Sequence, residues 1–150
     1  MVGDGSYLML NSEIATSVMM AVKLVIVVLD NRGFGCINRL QASVGAAPFN
    51  NLLADTVHET LPDIDFAAHA ASLGARSEKV VGVAALEAAL ARARASERTY
   101  VIVIDTDPAI ATQAGGAWWD VAVPEVSSRE EVRAARAAYE ARLIDQRTGD

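Results

Sequence analysis

Met1-Val2-Gly3-Asp4-Gly5-Ser6, followed after a spacer by Leu24-Val25-Ile26-Val27-Val28-Leu29-Asp30-Asn31-Arg32-Gly33, decides how this chain folds. Residues 24–29 are continuously apolar and rich in β-branched side chains, as expected for a parallel strand covered on both faces. The spacer, residues 11–22, reads as a helix with Asn11 or Ser12 as its cap and an apolar stripe at Ile14, Val18 and Val22. It is the crossover between two strands. Adjacent parallel strands would then present Asp4 and Asn31 at one edge of a sheet, where open α/β sheets bind ligands.

A cation-bridged diphosphate needs a hard oxygen ligand on a short stem, a second oxygen from a neighbouring turn, and backbone close enough to touch phosphate. Asp4, Asn31 and a carbonyl near Gly33 supply such a set. Gly3 and Gly5 flank Asp4, so the backbone is expected to turn sharply and admit phosphate oxygens without a Cβ in the way, and Ser6 adds a hydroxyl and an amide. Mg²⁺ suits oxygen-only ligands completed by phosphate and water.

Gly3-Asp4-Gly5 and, at the matching distance, Asn31 resemble the signature of the thiamine diphosphate-dependent enzymes of the acetolactate synthase and pyruvate decarboxylase superfamily. That resemblance implies that Asp4, the Asn31 side chain and the Gly33 carbonyl hold Mg²⁺. It also implies that Gly3, Asp4, Gly5, Ser6, Tyr7, Asn31, Gly33 and Phe34 form the cofactor-binding set, Phe34-Gly35 standing where the superfamily often has Tyr-Gly. Within the superfamily, residues 3–14, 29–41 and 116–121 are similar to the hydrolases that open a trihydroxycyclohexane-1,2-dione ring in inositol breakdown. The activity implied is hydrolytic C–C cleavage; acetolactate synthase-like carboligation of 2-oxo acids is the alternative. Asp30 departs from the Asn often found before the metal-binding Asn. Ile37 and Asn38 stand where some decarboxylases carry a catalytic acid, which argues against chemistry of that type.

By the same resemblance, this cofactor-binding domain follows a pyrimidine-binding domain and a middle domain. Only Met1 and Val2 precede Gly3, whereas a strand normally takes about five or six residues. The expectation is therefore an N-terminally truncated domain whose partners are the missing domains of the same polypeptide, in a homo-oligomer. The Glu that activates the cofactor in the family belongs to the pyrimidine-binding domain, so no catalytic residue is assigned here. A fragment of this kind, inert by itself, is a further alternative.

Composition narrows the classes. At 150 residues the chain is one domain's worth, and 52% of it is hydrophobic, yet its longest aliphatic run is too short to span a bilayer. A mean hydropathy of +0.24 suggests faces meant for partners. A net charge of −6 opposes binding to a phosphate backbone, which draws its affinity from Lys and Arg. Cys36 is the sole cysteine, which excludes an intrachain disulfide, and the start carries no signal-peptide pattern. A cytoplasmic protein without nucleic-acid or membrane partners is expected.

Downstream, residues 41–61 read as a long functional loop able to border a substrate pocket. An Asp-capped helix over 66–74 with a glycine at its end follows, then a strand over 77–81, a helix over 83–96 with Leu86 and Leu90 on one face, and a strand over 100–105. This alternation predicts a three-layer α/β/α fold with a mostly parallel sheet. Residues 1–108 are expected to form the cofactor-binding domain. Residues 109–150 form an extension with Trp118 and Trp119, which anchor the tail or touch substrate, and a Ser-capped surface helix from 127 to about 144. Asp105 and Asp107 suit a strand-ending turn better than a metal site. The absence of an acidic pair with a suitably placed Lys argues against a phospho-acceptor receiver. His58 in the loop could donate a proton to substrate, while His69 and Cys36 read as packing residues, and neither histidine has zinc-like spacing.

Overall fold

The computed structural model describes residues 1–110 and 120–146. Four parallel strands form one sheet in the order β1-β2-β4-β3, with β1 at Val2–Gly3, β2 at Val25–Asp30, β3 at Arg76–Val80 and β4 at Tyr100–Asp105. Adjacent side chains on a strand face opposite ways, and both faces of this sheet are covered. Val28, Val101 and Val103 point into one core, shared with Tyr7, Ile14, Phe66 and Ala70. Val27, Tyr100 and Ile102 point into a second, shared with Ala89 and Ala93. Helices α1 (Asp4–Met9), α2 (Ser12–Met19) and α4 (Phe66–Ser72) bring residues to the first core, and α5 (Val83–Ala95) covers the second. The fold is the three-layer α/β/α arrangement, and doubly buried strands explain why β2 and β4 read as unbroken apolar runs.

Most elements fall within a residue of their sequence-based bounds. Asp65 caps α4 by accepting the Ala68 N–H at 2.9 Å, and Gly74 behind the helix takes φ +92°, a conformation that glycine adopts without strain. The expected helix over 11–22 differs: the chain is already helical at Asp4, breaks near Leu10, and restarts at Ser12. Asn11 stands at the N-cap position of α2, but its side chain makes no capping bond. Its side-chain amide donates to the Leu8 carbonyl at 3.1 Å, so it closes the end of the first. Val22 lies past the end of α2 and is exposed, while Ile14 is buried as expected.

A further helix, α3 (Gly35–Ser43), occupies the start of what read as loop, and a short 3-10 turn forms at Leu53–Asp55. The last helix, α6 (Glu130–Leu143), begins three residues later than expected. No side chain caps it; Ser127 instead accepts the Arg129 N–H at 3.1 Å. It is a surface helix with one buried seam, where Val132 packs against Val44 and Val123. Cys36 is exposed, which corrects the expectation that it packs, because α3 turns that side chain outward. Trp118 and Trp119 lie outside the described residues.

Candidate functional site

Register builds the site. Gly3 pairs with Leu29, so Asp4 emerges beside the turn that follows Asp30. Asp4 is 4% exposed, and both carboxylate oxygens are engaged by that turn: Oδ2 accepts the Gly33 N–H at 2.7 Å and Oδ1 the Asn31 N–H at 3.4 Å. A buried carboxylate with two backbone donors is held in one orientation.

The Asn31 side chain completes the cluster. One end of its amide stands 2.8 Å from the Gly33 carbonyl oxygen and 3.2 Å from Asp4 Oδ1. With nitrogen at that end, Asn31 donates to both acceptors; a bound cation would instead draw the amide oxygen there, beside the Gly33 carbonyl and Asp4 Oδ1. The 2.8 and 3.2 Å separations are of the size found between neighbouring ligands of a small divalent ion, whose octahedral 2.0–2.1 Å bonds put adjacent ligands about 2.9 Å apart. Among the described residues no three His, Cys, Asp or Glu side chains form a metal site.

Asp30 underlies the turn. It is 2% exposed; Oδ1 accepts the Arg32 N–H at 3.0 Å, and Oδ2 lies 3.3 Å from Arg32 Nε. This bracing accompanies the left-handed backbone of Arg32, φ +58°, which a side-chain acceptor two residues earlier helps to hold. Burial raises the Asp30 pKa, opposed by the Arg32 amide and guanidinium and reinforced by the nearby Asp4 and Asp105 carboxylates. Arg32 reaches on to Asp63, Nη1 to Oδ1 3.3 Å, tying the turn to the downstream loop.

The glycines act differently from expectation. Gly3 is extended and Gly5 is helical, so neither makes the sharp turn. Gly5 leaves room for a ring: a Cβ there would lie 2.5 Å from Cε1 of Phe34, whose ring rests over it. Ser6 is exposed beside this contact. The Tyr7 side chain turns away from the site into the first core, its hydroxyl 2.8 Å from Nδ1 of His69, and burial raises its pKa. His69 is thus a packing residue, as read from sequence. His58 contacts Thr56 and the Leu53 carbonyl. Asp105 pairs with Lys79 at 2.8 Å, and Asp107 accepts the Ala109 N–H; neither joins the oxygen cluster.

The loop after α3 returns to the turn at residues 31–34, a closure with no local signature in the sequence. Phe34 N–H donates to the Asn51 carbonyl at 2.7 Å, Leu53 N–H donates to the Arg32 carbonyl at 2.9 Å, and Gly33 and Leu52 form an antiparallel bridge. Between this loop and α1 lies a cavity of about 250 Å³, with Asp4 and Gly5 at one side and Leu8, Phe34, Leu52 and Phe66 among its apolar walls. The expectation that the loop borders a pocket is met by Asn50, Asn51, Leu52, Leu53 and Thr56.

A parallel sheet that delivers a buried carboxylate and an amide to one edge, beside a cavity, is an open α/β sheet of the kind that binds ligands at its strand ends. The chain belongs to the thiamine pyrophosphate enzyme family and carries its C-terminal TPP-binding domain, matched over residues 1–104. It is similar to 3D-(3,5/4)-trihydroxycyclohexane-1,2-dione hydrolase 2 of Bacillus cereus, 39% identical over 95% of this chain and 23% of that protein. It is equally similar to 3D-(3,5/4)-trihydroxycyclohexane-1,2-dione hydrolase of Geobacillus thermodenitrificans, 39% identical over 90% of this chain and 22% of that protein. The chain therefore spans about a quarter of the length of these relatives. Its fold matches the Rhodococcus jostii RHA1 thiamine diphosphate-dependent 4-hydroxybenzoylformate decarboxylase with a TM-score of 0.61 over 71% of this chain and 19% of that one, at 21% identity. No helix among the described residues is long and apolar enough to cross a membrane.

Proposed function

We propose that this chain holds thiamine diphosphate through Mg²⁺, in an enzyme that hydrolyses a C–C bond of a trihydroxycyclohexane-1,2-dione in inositol catabolism. The observation that carries the cation reading is the meeting of Asp4 Oδ1, the Asn31 amide and the Gly33 carbonyl at separations of 2.8 and 3.2 Å. Two relatives at 39% identity that bear the ring-hydrolase name support the reaction.

In this reading Asp4, Asn31 and Gly33 give the ion three oxygens and leave its other positions to phosphate and water. Gly5 keeps the start of α1 free of side-chain bulk, so that phosphate can approach the backbone there beside Ser6 and Phe34. Asp4 is held by two backbone donors before any ligand arrives, which lowers the ordering cost of binding. The bound cofactor supplies the electron sink for C–C cleavage; this chain's residues place it. Other domains of the same polypeptide, in a homo-oligomer, would supply the rest of the active site.

Calorimetric titration of the chain with thiamine diphosphate, with and without Mg²⁺, tests the binding half. Binding that needs Mg²⁺ and is lost in Asp4→Ala and Asn31→Ala supports it; binding indifferent to all three rejects it. Product analysis on the full-length enzyme with the cyclic dione and with 2-oxo acids tests the reaction. An acyclic acid from the dione is expected, and carboligation products alone would reject it.

A further inference from the structure

The two peptide groups on either side of Gly33 are each fastened at both ends. In the unit joining Arg32 to Gly33, the carbonyl accepts the Leu53 N–H at 2.9 Å and the N–H donates to Asp4 Oδ2 at 2.7 Å. In the unit joining Gly33 to Phe34, the N–H donates to the Asn51 carbonyl at 2.7 Å, and the carbonyl faces the Asn31 amide at 2.8 Å. A peptide unit is a rigid plane with its N–H and C=O on opposite sides. Whatever holds its outer end therefore aims its inner end.

We propose that residues 51–53 position the cation site from outside the oxygen set, Leu53 by aiming the Gly33 N–H at Asp4 and Asn51 by aiming the Gly33 carbonyl, so that cation binding and docking of this loop reinforce each other. The inference rests on the cation reading above and adds residues to it that touch no ligand. The fit at Gly33 supports it: its φ is +148°, and a Cβ there would overlap the Asn51 oxygen and lie 2.8 Å from Leu52 Cα, so loop and turn are in backbone contact. The loop is braced on its far side by Asn51 donating to Gln41, which in turn donates to the Ala47 carbonyl. Docking therefore also sets the Leu52 wall of the cavity beside Asp4. Coupling between two such events is reciprocal: the factor by which docking tightens the cation is the factor by which the cation tightens docking.

One backbone donor can be removed almost alone. Leu53 is the first residue of the 3-10 turn and Leu52 before it is extended, ψ 147°, both of which proline accepts. Leu53→Pro deletes the N–H that holds the Arg32 carbonyl, whereas Leu53→Ala keeps that N–H and loses only side chain. The measurements are a Mn²⁺ titration followed by electron paramagnetic resonance, with thiamine diphosphate present, and hydrogen exchange of the Phe34 and 50–56 amides with and without Mg²⁺. Loss of one such bond should weaken Mn²⁺ about three- to tenfold in Leu53→Pro, with Leu53→Ala within about twofold of wild type. In the wild type, Mg²⁺ should slow exchange at Leu53 and Phe34.

Asp4-dependent Mn²⁺ binding that ignores Leu53→Pro in a folded variant would overturn the inference and leave the cation reading intact. Equal Mn²⁺ binding by wild type and Asp4→Ala would remove both. If Leu53→Pro does not fold, the exchange measurement decides: no cation-dependent slowing at Leu53 and Phe34 overturns the proposal.

Discussion

The ring of Phe34 rests where a side chain on Gly5 would have to begin, with a Cβ there only 2.5 Å from ring carbon Cε1. The clash is with the far end of a side chain that is 40% exposed and has room to swing aside. Gly5→Ala should therefore fold, and the better helix propensity of Ala offsets the displacement by up to about 1 kcal/mol. Thiamine diphosphate affinity should nevertheless fall by about tenfold or more, because the methyl and the displaced ring crowd the phosphate approach. Paired thermal melts and calorimetric titrations check this, and a variant with both stability and affinity lost would contradict it.

Gly33→Ala should behave in the opposite way. Its obstacles are the backbone of Asn51 and Leu52, which have no such freedom, and its φ of +148° is unfavourable for any residue with a Cβ. Strain of about 1–3 kcal/mol is expected before the broken bridge is counted. Urea unfolding of Gly33→Ala against wild type reads it directly; a loss under about 0.5 kcal/mol would show that the turn relaxes freely.

Asp4→Ala removes the acceptor of the Gly33 N–H at 2.7 Å in a buried place. Leaving that donor unmet should cost about 1–3 kcal/mol without any ligand. In wild type, Mg²⁺ with thiamine diphosphate at about 100 times its dissociation constant should add roughly 2.7 kcal/mol, and a chelator should take it away. Asp4→Ala should show no such increment, as followed by differential scanning fluorimetry. A full Mg²⁺ shift in the variant would exclude Asp4 as a ligand.

A clamp on the second face makes a pH prediction. Arg92 on α5 donates from Nε and Nη2 to Glu78 of β3 at 2.9 and 2.6 Å, and the Tyr100 hydroxyl donates to the same carboxylate at 2.7 Å. The Arg92 bond is the main reason the Glu78 pKa is lowered, with partial burial opposing it and Tyr100 helping. A carboxyl group with a depressed folded pKa stabilises the fold above its unfolded value, about 4.3 for glutamate, and loses that contribution as pH falls through the folded value. Glu78→Gln should therefore flatten the fall in stability as pH drops below about 4.3, with little change in slope near pH 7. Denaturant midpoints across that range measure it. An unchanged acid slope would show that solvent screens the pair.

The parts of this architecture that were legible in the sequence are those governed by short-range rules. Residues 25–29 and 101–104 read as strands covered on both faces because nothing polar interrupts them, and Asp65 read as a helix cap because an apolar stripe starts directly after it. Asp4 and Asn31 were legible because they sit at strand tips whose adjacency follows from the crossover between them. Asn11 was misread because its amide has two uses, and donation backward to Leu8 competes with accepting forward from the next helix. The return of Asn51–Leu53 to Gly33 was invisible, being made by backbone atoms that every residue carries. Asp30 looked like a variation on a motif, and its bracing of Arg32 emerges only when the left-handed backbone is seen.

Neighbouring valines on the central strands serve opposite cores, Val27 one and Val28 the other. A slip of one residue between β1 and β2 would turn these side chains inside out and also carry Asn31 about 3.3 Å from its place beside Asp4. Hydrophobic sorting thus proofreads the ligand geometry during folding: a molecule whose Asp4, Asn31 and Gly33 oxygens meet has, by that fact, threaded its sheet correctly.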